Sequence, residues 1–350
     1  METRKIQRVS SGTLTVSLPK GWAEAQDIGF GTVVNLHTHL DGVLVIQARE
    51  REDDGTRRAT VPIDHDDPAR LERTLRAAYA AGFEAVTLTA AEGFTADQRR
   101  AVGRVANSLA GVTVADEAED WVTVRTLLDS TDVSVRQSVR QLRFVALSMH
   151  RDATAALVGD APVEGFDDRD DWADRLFAMV DRHLGRSLVR LDEVDALGLA
   201  RPELFELRTT ARELERVADH AERIGALAAD LDEAAVVPVA DEFPVLAETA
   251  RSAVEDGVSV VLGDADCARA HRALAARDEV RAGVDALDRR LFEAAASDYR
   301  LTHALDSLRR TAEHGATIAE LGIRTAIRRG ESAALDAGGG TGVGMPGADG

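Results

Sequence analysis

Between Arg201 and Leu227, the apolar residues Leu204, Leu207, Ala211, Leu214, Ala218, Ala221 and Gly225 recur every three or four positions. That period sets them on one stripe of a long helix, and such a stripe is buried against other helices. Beside the stripe stand Glu215 and Asp219, four residues apart. At that spacing two carboxylates leave the same side of the helix, with Cβ atoms about 6 Å apart, and repel each other. Arg212, Arg216 and Arg223 can offset them as a solvated, salt-bridge-laced face. A bound cation would offset them equally well.

The chain repeats this passage. Leu214-Glu215-Arg216-Val217-Ala218-Asp219-His220 returns as Leu308-Arg309-Arg310-Thr311-Ala312-Glu313-His314. The preceding helix repeats too, Arg169-Asp170-Asp171-Trp172-Ala173 against Arg277-Asp278-Glu279-Val280-Arg281. A doubled pair of helices is an internal repeat, so the fold is one helical unit built twice. The spacing predicts six long helices: 133–157, 169–195, 202–231, 243–262, 267–295 and 299–329.

The stretch LERVADHAERIG, Leu214 to Gly225, resembles the signature of the PhoU phosphate-signalling proteins, and RDDWADRL, Arg169 to Leu176, resembles the acidic helix that faces it. The resemblance covers about residues 131 to 329. It implies two three-helix bundles related by a pseudo-twofold, whose acidic pairs hold multinuclear metal clusters. The first copy keeps Asp170, Asp174, Glu215 and Asp219 as expected ligands. The second keeps Asp278 and Glu313, with Ala282 and Arg309 at the other two places, so that Arg309 can neutralise the remaining acids. Partners implied by the resemblance are a phosphate ABC transporter or its sensor kinase.

Residues 4 to 48 alternate in the manner of short strands around Pro19, with a short helix from Lys20 and a hairpin signal at Asp41-Gly42. This order resembles the AbrB/SpoVT swapped-hairpin domain, in which two chains interleave to close one small barrel. Homodimerisation follows from that likeness. The family binds DNA through its first hairpin, and Arg4, Lys5, Arg8 and Lys20 stand at comparable places. Basic residues on edge strands also serve simply to block aggregation, so DNA binding and a purely dimer-forming role stay equally open. His37 and His39 share a strand face without a nearby cysteine, as a surface pair does.

Between these parts, residues 51 to 130 read as a small α/β layer, with helices from Asp67 to Ala81 and Thr95 to Ala110 and strands at 84–89, 112–115 and 121–127. It carries no Gly-rich phosphate loop and no nucleophile paired with a base. Residues 49 to 60 read as a charged linker or hairpin extension with no apolar pattern. The expected organisation is thus mainly α and multidomain: an AbrB-like swapped-hairpin β-barrel (1–50), an α/β connector (51–130), two PhoU-like three-helix repeats (131–235 and 236–329) and a disordered Gly-rich tail (330–350).

Composition narrows the function classes. The net charge of −19 lies wholly outside residues 1–50, which hold five basic and five acidic residues. Lys5 and Lys20 are the only lysines, and this acidic, lysine-poor surface suits a halophilic protein in a salt-rich cytosol. It argues against a broad nucleic-acid surface beyond the N-terminus. Cys267 is the single cysteine, which excludes intrachain disulfides and Cys-based zinc sites. No apolar run is long enough to span a bilayer, and a cytoplasmic protein is expected.

Oxygen ligands on facing helices suit Mg, Mn, Fe or Ca, with Zn a further choice for a carboxylate site. His220, about 100° round the helix from Asp219, is expected to pack or to face solvent rather than to ligate. Asp181 and Asp285 lie near the middle of their helices and have only suggestive registers. Three functions fit: a non-enzymatic, metal-binding regulator of phosphate uptake; a DNA-binding transcription regulator with a PhoU effector domain; and a metal-dependent hydrolase, which lacks any nucleophile or oxyanion donor beyond the acids.

Overall fold

The computed structural model describes residues 3–9, 12–38, 42–48, 57–231, 233–293 and 298–331. His39, Asp41, most of the charged linker and the tail beyond 331 lie outside them. The chain divides into two units, Met1–Arg57 and Arg58–Gly350.

The first unit consists of two separate antiparallel pairs: β1 (Gln7–Arg8) with β2 (Leu14–Thr15), and β3 (Asn35–Thr38) with β4 (Leu44–Gln47). Pro19 opens α1 (Lys20–Ala25) between them. The two pairs share no ladder, so the described residues form no closed barrel. None of the described residues in this unit is buried. Strands of two to four residues cannot enclose a core by themselves.

In the second unit, a four-stranded sheet comes first, in the order β5-β6-β8-β7. Its strands are β5 (Arg58–Pro62), β6 (Ala85–Thr89), β7 (Val112–Glu117) and β8 (Trp121–Thr126), with α2 (Pro68–Ala80) and α3 (Ala96–Ser108) packed against it. Leu71, Leu75, Val102 and Val105 of the helices bury against Val86, Leu88, Val122 and Val124. Each fully buried aliphatic side chain contributes about 1.5–3 kcal/mol. Asp67 caps α2, and Thr95 with Gln98 forms a capping box on α3. Strand β5 is a correction to the sequence reading, which placed its start in a linker. It is an edge strand ending in Pro62 with alternate residues exposed, and only its parallel pairing with β6 makes it a strand.

The helical part contains α4 (Val135–Leu157), α5 (Phe166–Ser187), α6 (Leu191–Ala196), α7 (Arg201–Ala229), α8 (Glu233–Val236), α9 (Glu242–Leu262), α10 (Cys267–Glu293) and α11 (Tyr299–Arg328). Helices α4, α5 and α7 pack together as one triad and α9, α10 and α11 as another, and the triads join through α7 against α11 and α4 against α9. One continuous apolar core runs through both.

The helix expected to run from Arg169 to Asp195 is broken at Leu188–Arg190 into α5 and α6. The break folds α6 back so that the buried Glu193 accepts hydrogen bonds from Ser130 Oγ (2.9 Å) and Arg186 Nε (2.9 Å) and meets His183 Nδ1 (2.8 Å). Helix α5 is also locked to the α/β layer. Arg182, fully buried, donates to the carbonyls of Tyr79 (2.9 Å) and Phe83 (2.7 Å), and Arg175 donates to that of Asn107 (2.6 Å). A Cβ on Gly185 would lie 2.2 Å from the Ala80 carbonyl oxygen, so only glycine permits this approach.

Candidate metal centre

Helices α5 and α7 run antiparallel: Phe166 meets Gly225 at one end, and Arg208 Nε bonds Asp181 (2.7 Å) at the other. Along this seam the acids at 170 and 174 oppose those at 215, 219 and 222. Asp170, Asp174 and Asp219 each offer one oxygen, and the three oxygens lie within 4.8 Å of one another. Around one cation with metal–oxygen bonds of about 2.0–2.4 Å, oxygens sit roughly 2.8–4.8 Å apart, so the three are spaced to share an ion. This is the only such group among the described residues.

Glu215 stands beside the trio rather than in it. It is 8% exposed; Oε1 accepts from Arg212 Nη1 (3.0 Å), while Oε2 is buried with no partner. Among the described residues that is the only ion pair made by the four acids. Arg212 is partly engaged elsewhere, over the ring of Phe177 at 5.0 Å. The solvated salt-bridge face therefore exists only in part.

The protonation equilibria reflect this shortage of positive charge. Burial, then the charges of Glu222, Asp174 and Asp219, push the Asp170 carboxyl up to about 7. Burial, then Asp219, pushes Glu215 up to about 7 against the pull of Arg212. Asp174 is raised by burial and Asp219, although Arg76 of α2 and Arg212 oppose the shift. Asp219 is raised by burial against Arg212, Arg216 and Arg223. Each acid resists ionising chiefly because it is buried, and Asp170, Asp174 and Glu215 also because a neighbouring carboxylate repels their charge; a divalent cation would counter both effects.

The sequence reading did not include Glu222. It lies one turn beyond Asp219, and its charge is the strongest of those acting on Asp170. The i, i+3 spacing from Asp219 was the available signal.

The second copy is built differently. Asp278 is 67% exposed and bonds Arg277 Nε (2.7 Å); Glu313 lies 3.6 Å from Arg310. Arg309 occupies the place matching Glu215 and pairs with Asp306 and, at 3.7 Å, with Asp285. Among the described residues Asp278 and Glu313 belong to no group of three or more side chains spaced to share an ion, and Asp181 is held by Arg208.

His220 packs half-buried, as expected. Its ring stacks on that of His314, with centroids 5.3 Å apart and planes at 24°. The two Nε2 atoms are 3.3 Å apart, and His314 Nδ1 meets Glu213 Oε2 at 2.6 Å.

In the first unit, Arg4, Lys5, Arg8 and Lys20 are all exposed, and Lys20 Nζ lies 3.5 Å from Glu24. His37 is half-buried, while His39 is outside the described residues.

Residues 139–228 match the PhoU domain. The span runs from the first turns of α4 to the end of α7 and contains all four acids of the centre. No curated protein matches the chain. Among the described residues no helix is long and apolar enough to cross a membrane.

Proposed function

We propose that this chain is a regulator of phosphate homeostasis of the PhoU type, whose first helical triad binds a metal ion and which acts by changing its affinity for a partner rather than by catalysis. The observation that carries this reading is the convergence of Asp170, Asp174 and Asp219 inside the span that matches the PhoU domain. The donor set fits a divalent or transition cation. It consists of carboxylate oxygens alone, it is partly buried, and beside it Glu215 Oε2 is buried without a partner. Fe, Mn, Mg and Zn are the candidate ions. The partner would be a phosphate transporter or its sensor kinase, and the ion would hold α5 and α7 in the arrangement the partner recognises.

The test is phosphate uptake in cells lacking this chain and growing in plentiful phosphate. Complementation with the native chain should restore repression of uptake, and an Asp170→Asn, Asp174→Asn, Asp219→Asn variant should not. Equal restoration by both would remove the metal from the function. Unchanged uptake in the deletion strain would remove phosphate from it.

The first unit supports a second element of the reading, a homodimer of swapped-hairpin type. Ile6, Val9, Leu14, Phe30, Val33 and Leu36 are all exposed, none of the unit's described residues is buried, and a second copy would cover this apolar surface. Whether such a dimer also binds DNA, as an AbrB-type transcription regulator would, rests on the four exposed basic residues. Footprinting across a salt series, native against Arg4→Ala, Lys5→Ala, Arg8→Ala, decides it. A footprint that weakens steeply with salt and vanishes in the variant supports DNA binding; its absence leaves dimerisation as the role.

A further inference from the structure

We propose that His220 and His314 form a second cation site, a two-imidazole site for a transition metal ion, at the junction of the two helical triads and separate from the carboxylate centre. The two residues occupy the same place in the two copies of the repeat, one position after Asp219 and Glu313. These matched residues of the two copies meet where α7 packs on α11. The rings are 5.3 Å apart at their centroids but only 3.3 Å apart at their Nε2 atoms, so their Nε2 edges converge.

That separation has a geometric meaning. Two nitrogens bound to one tetrahedral ion at about 2.0–2.1 Å are about 3.3–3.4 Å apart. The pair therefore needs no rearrangement to share an ion. The same separation also admits a hydrogen bond from one Nε2–H to the other Nε2, which a bound ion would replace.

At His314 the tautomer is the one a metal site requires, whereas His220 Nδ1 is buried without a partner. His314 Nδ1–H donates to the Glu213 carboxylate at 2.6 Å, which leaves the lone pair on Nε2 and aims it at His220. A carboxylate behind an imidazole both orients the ring and raises its basicity toward a metal. Glu213 comes from α7 and His314 from α11, so the ligand and its orienting group belong to different triads. Both rings are only half-buried, which leaves water to complete the shell. Imidazole donors select Zn, Cu or Ni, whereas the neighbouring all-oxygen centre, about 100° round α7, favours harder ions.

The test is a Zn2+ titration of the metal-free full chain by calorimetry, with three classes of variant. The Asp170→Asn, Asp174→Asn, Asp219→Asn chain should still bind one Zn2+. In that background His220→Gln and His314→Gln should each weaken this event at least 100-fold, and Glu213→Gln should weaken it about tenfold, as removal of an orienting carboxylate does. Should a histidine variant fail to fold by circular dichroism, Co2+ added to the triple-Asn chain replaces it as the readout. A visible spectrum of tetrahedral, nitrogen-ligated Co2+ supports the site, and an octahedral aquo spectrum overturns it. The proposal is equally overturned if the triple-Asn chain binds no Zn2+, or if the glutamine variants bind it unchanged.

Discussion

The two helical triads use the same scaffold and the same repeat, yet differ in how they treat charge. The first carries acids at all four matched places, Asp170, Asp174, Glu215 and Asp219, half-buried or buried and short of arginine partners. The second replaces two of them with Ala282 and Arg309 and leaves Asp278 exposed beside Arg277. One arrangement is electrostatically incomplete; the other is neutralised. A folded protein keeps a buried, mutually repelling set of acids at a cost in stability, and a cation bound there, as proposed, would offset that cost.

The triads also differ in packing. His314 and His220 occupy matched positions, so Gly315 corresponds to Ala221, which is buried without strain. In the second triad a Cβ on Gly315 would come within 2.8 Å of the backbone of Ala253 and Val254. There α9 and α11 are pressed together more tightly than a methyl group allows. Gly315→Ala, which merely copies the first triad's residue, should therefore destabilise the fold by about 1–3 kcal/mol in urea denaturation, the largest stability effect expected here. A neutral result would show that the two seams are equally spaced.

Converting the second triad toward the first is the next way to break the contrast. Ala282→Asp with Arg309→Glu should lower the melting temperature of the metal-free protein and add one bound Mn2+ by elemental analysis. No added metal would mean that the backbone, not the side-chain set, distinguishes the triads.

Glu215→Gln sharpens it from the other side. Removing a buried acid whose carboxyl is pushed up to about 7 should raise the stability of the metal-free protein at pH 8 by on the order of 2 kcal/mol. The same linkage has a definite sign. Asp170 and Glu215 hold protons in the folded state up to about 7 but release them near 4 when unfolded. Folded protein binds the extra protons in that window, so metal-free stability is full below about pH 4 and declines as the pH rises toward 7. Saturating Mn2+ should abolish the decline, because the metal binds the ionised form. Denaturant midpoints at pH 5 and pH 8, with and without Mn2+, check both statements. At the small end, Asp278→Asn with Glu313→Gln should change stability by less than about 0.5 kcal/mol and leave metal content unaltered.

The contrast was partly legible in the sequence. Helical periodicity located the six long helices, and the i, i+4 acids had to share a face whatever the tertiary structure. Substitution of Arg309 and Ala282 was visible in the repeat alignment, but the arginine pairs with Asp306 and Asp285 rather than with the remaining acids expected of it, which meet Arg277 and Arg310 instead. Other features depend on contacts between elements that local pattern does not encode. The break at Leu188–Arg190 is fixed by Glu193 folding back onto Arg186 and His183. Strand β5 owes its existence to β6. The His220–His314 pair depends on which face of α11 meets α7, although its matched positions in the repeat were a usable signal.

The most direct test of the difference between the triads is the Mn2+ stoichiometry of the full chain, metal-free at the start, compared with Asp174→Asn, Asp219→Asn and with Asp278→Asn, Glu313→Gln. The first pair should abolish high-affinity binding while the second leaves it at the native value. Equal binding by all three proteins would contradict the assignment of the cation to the first triad.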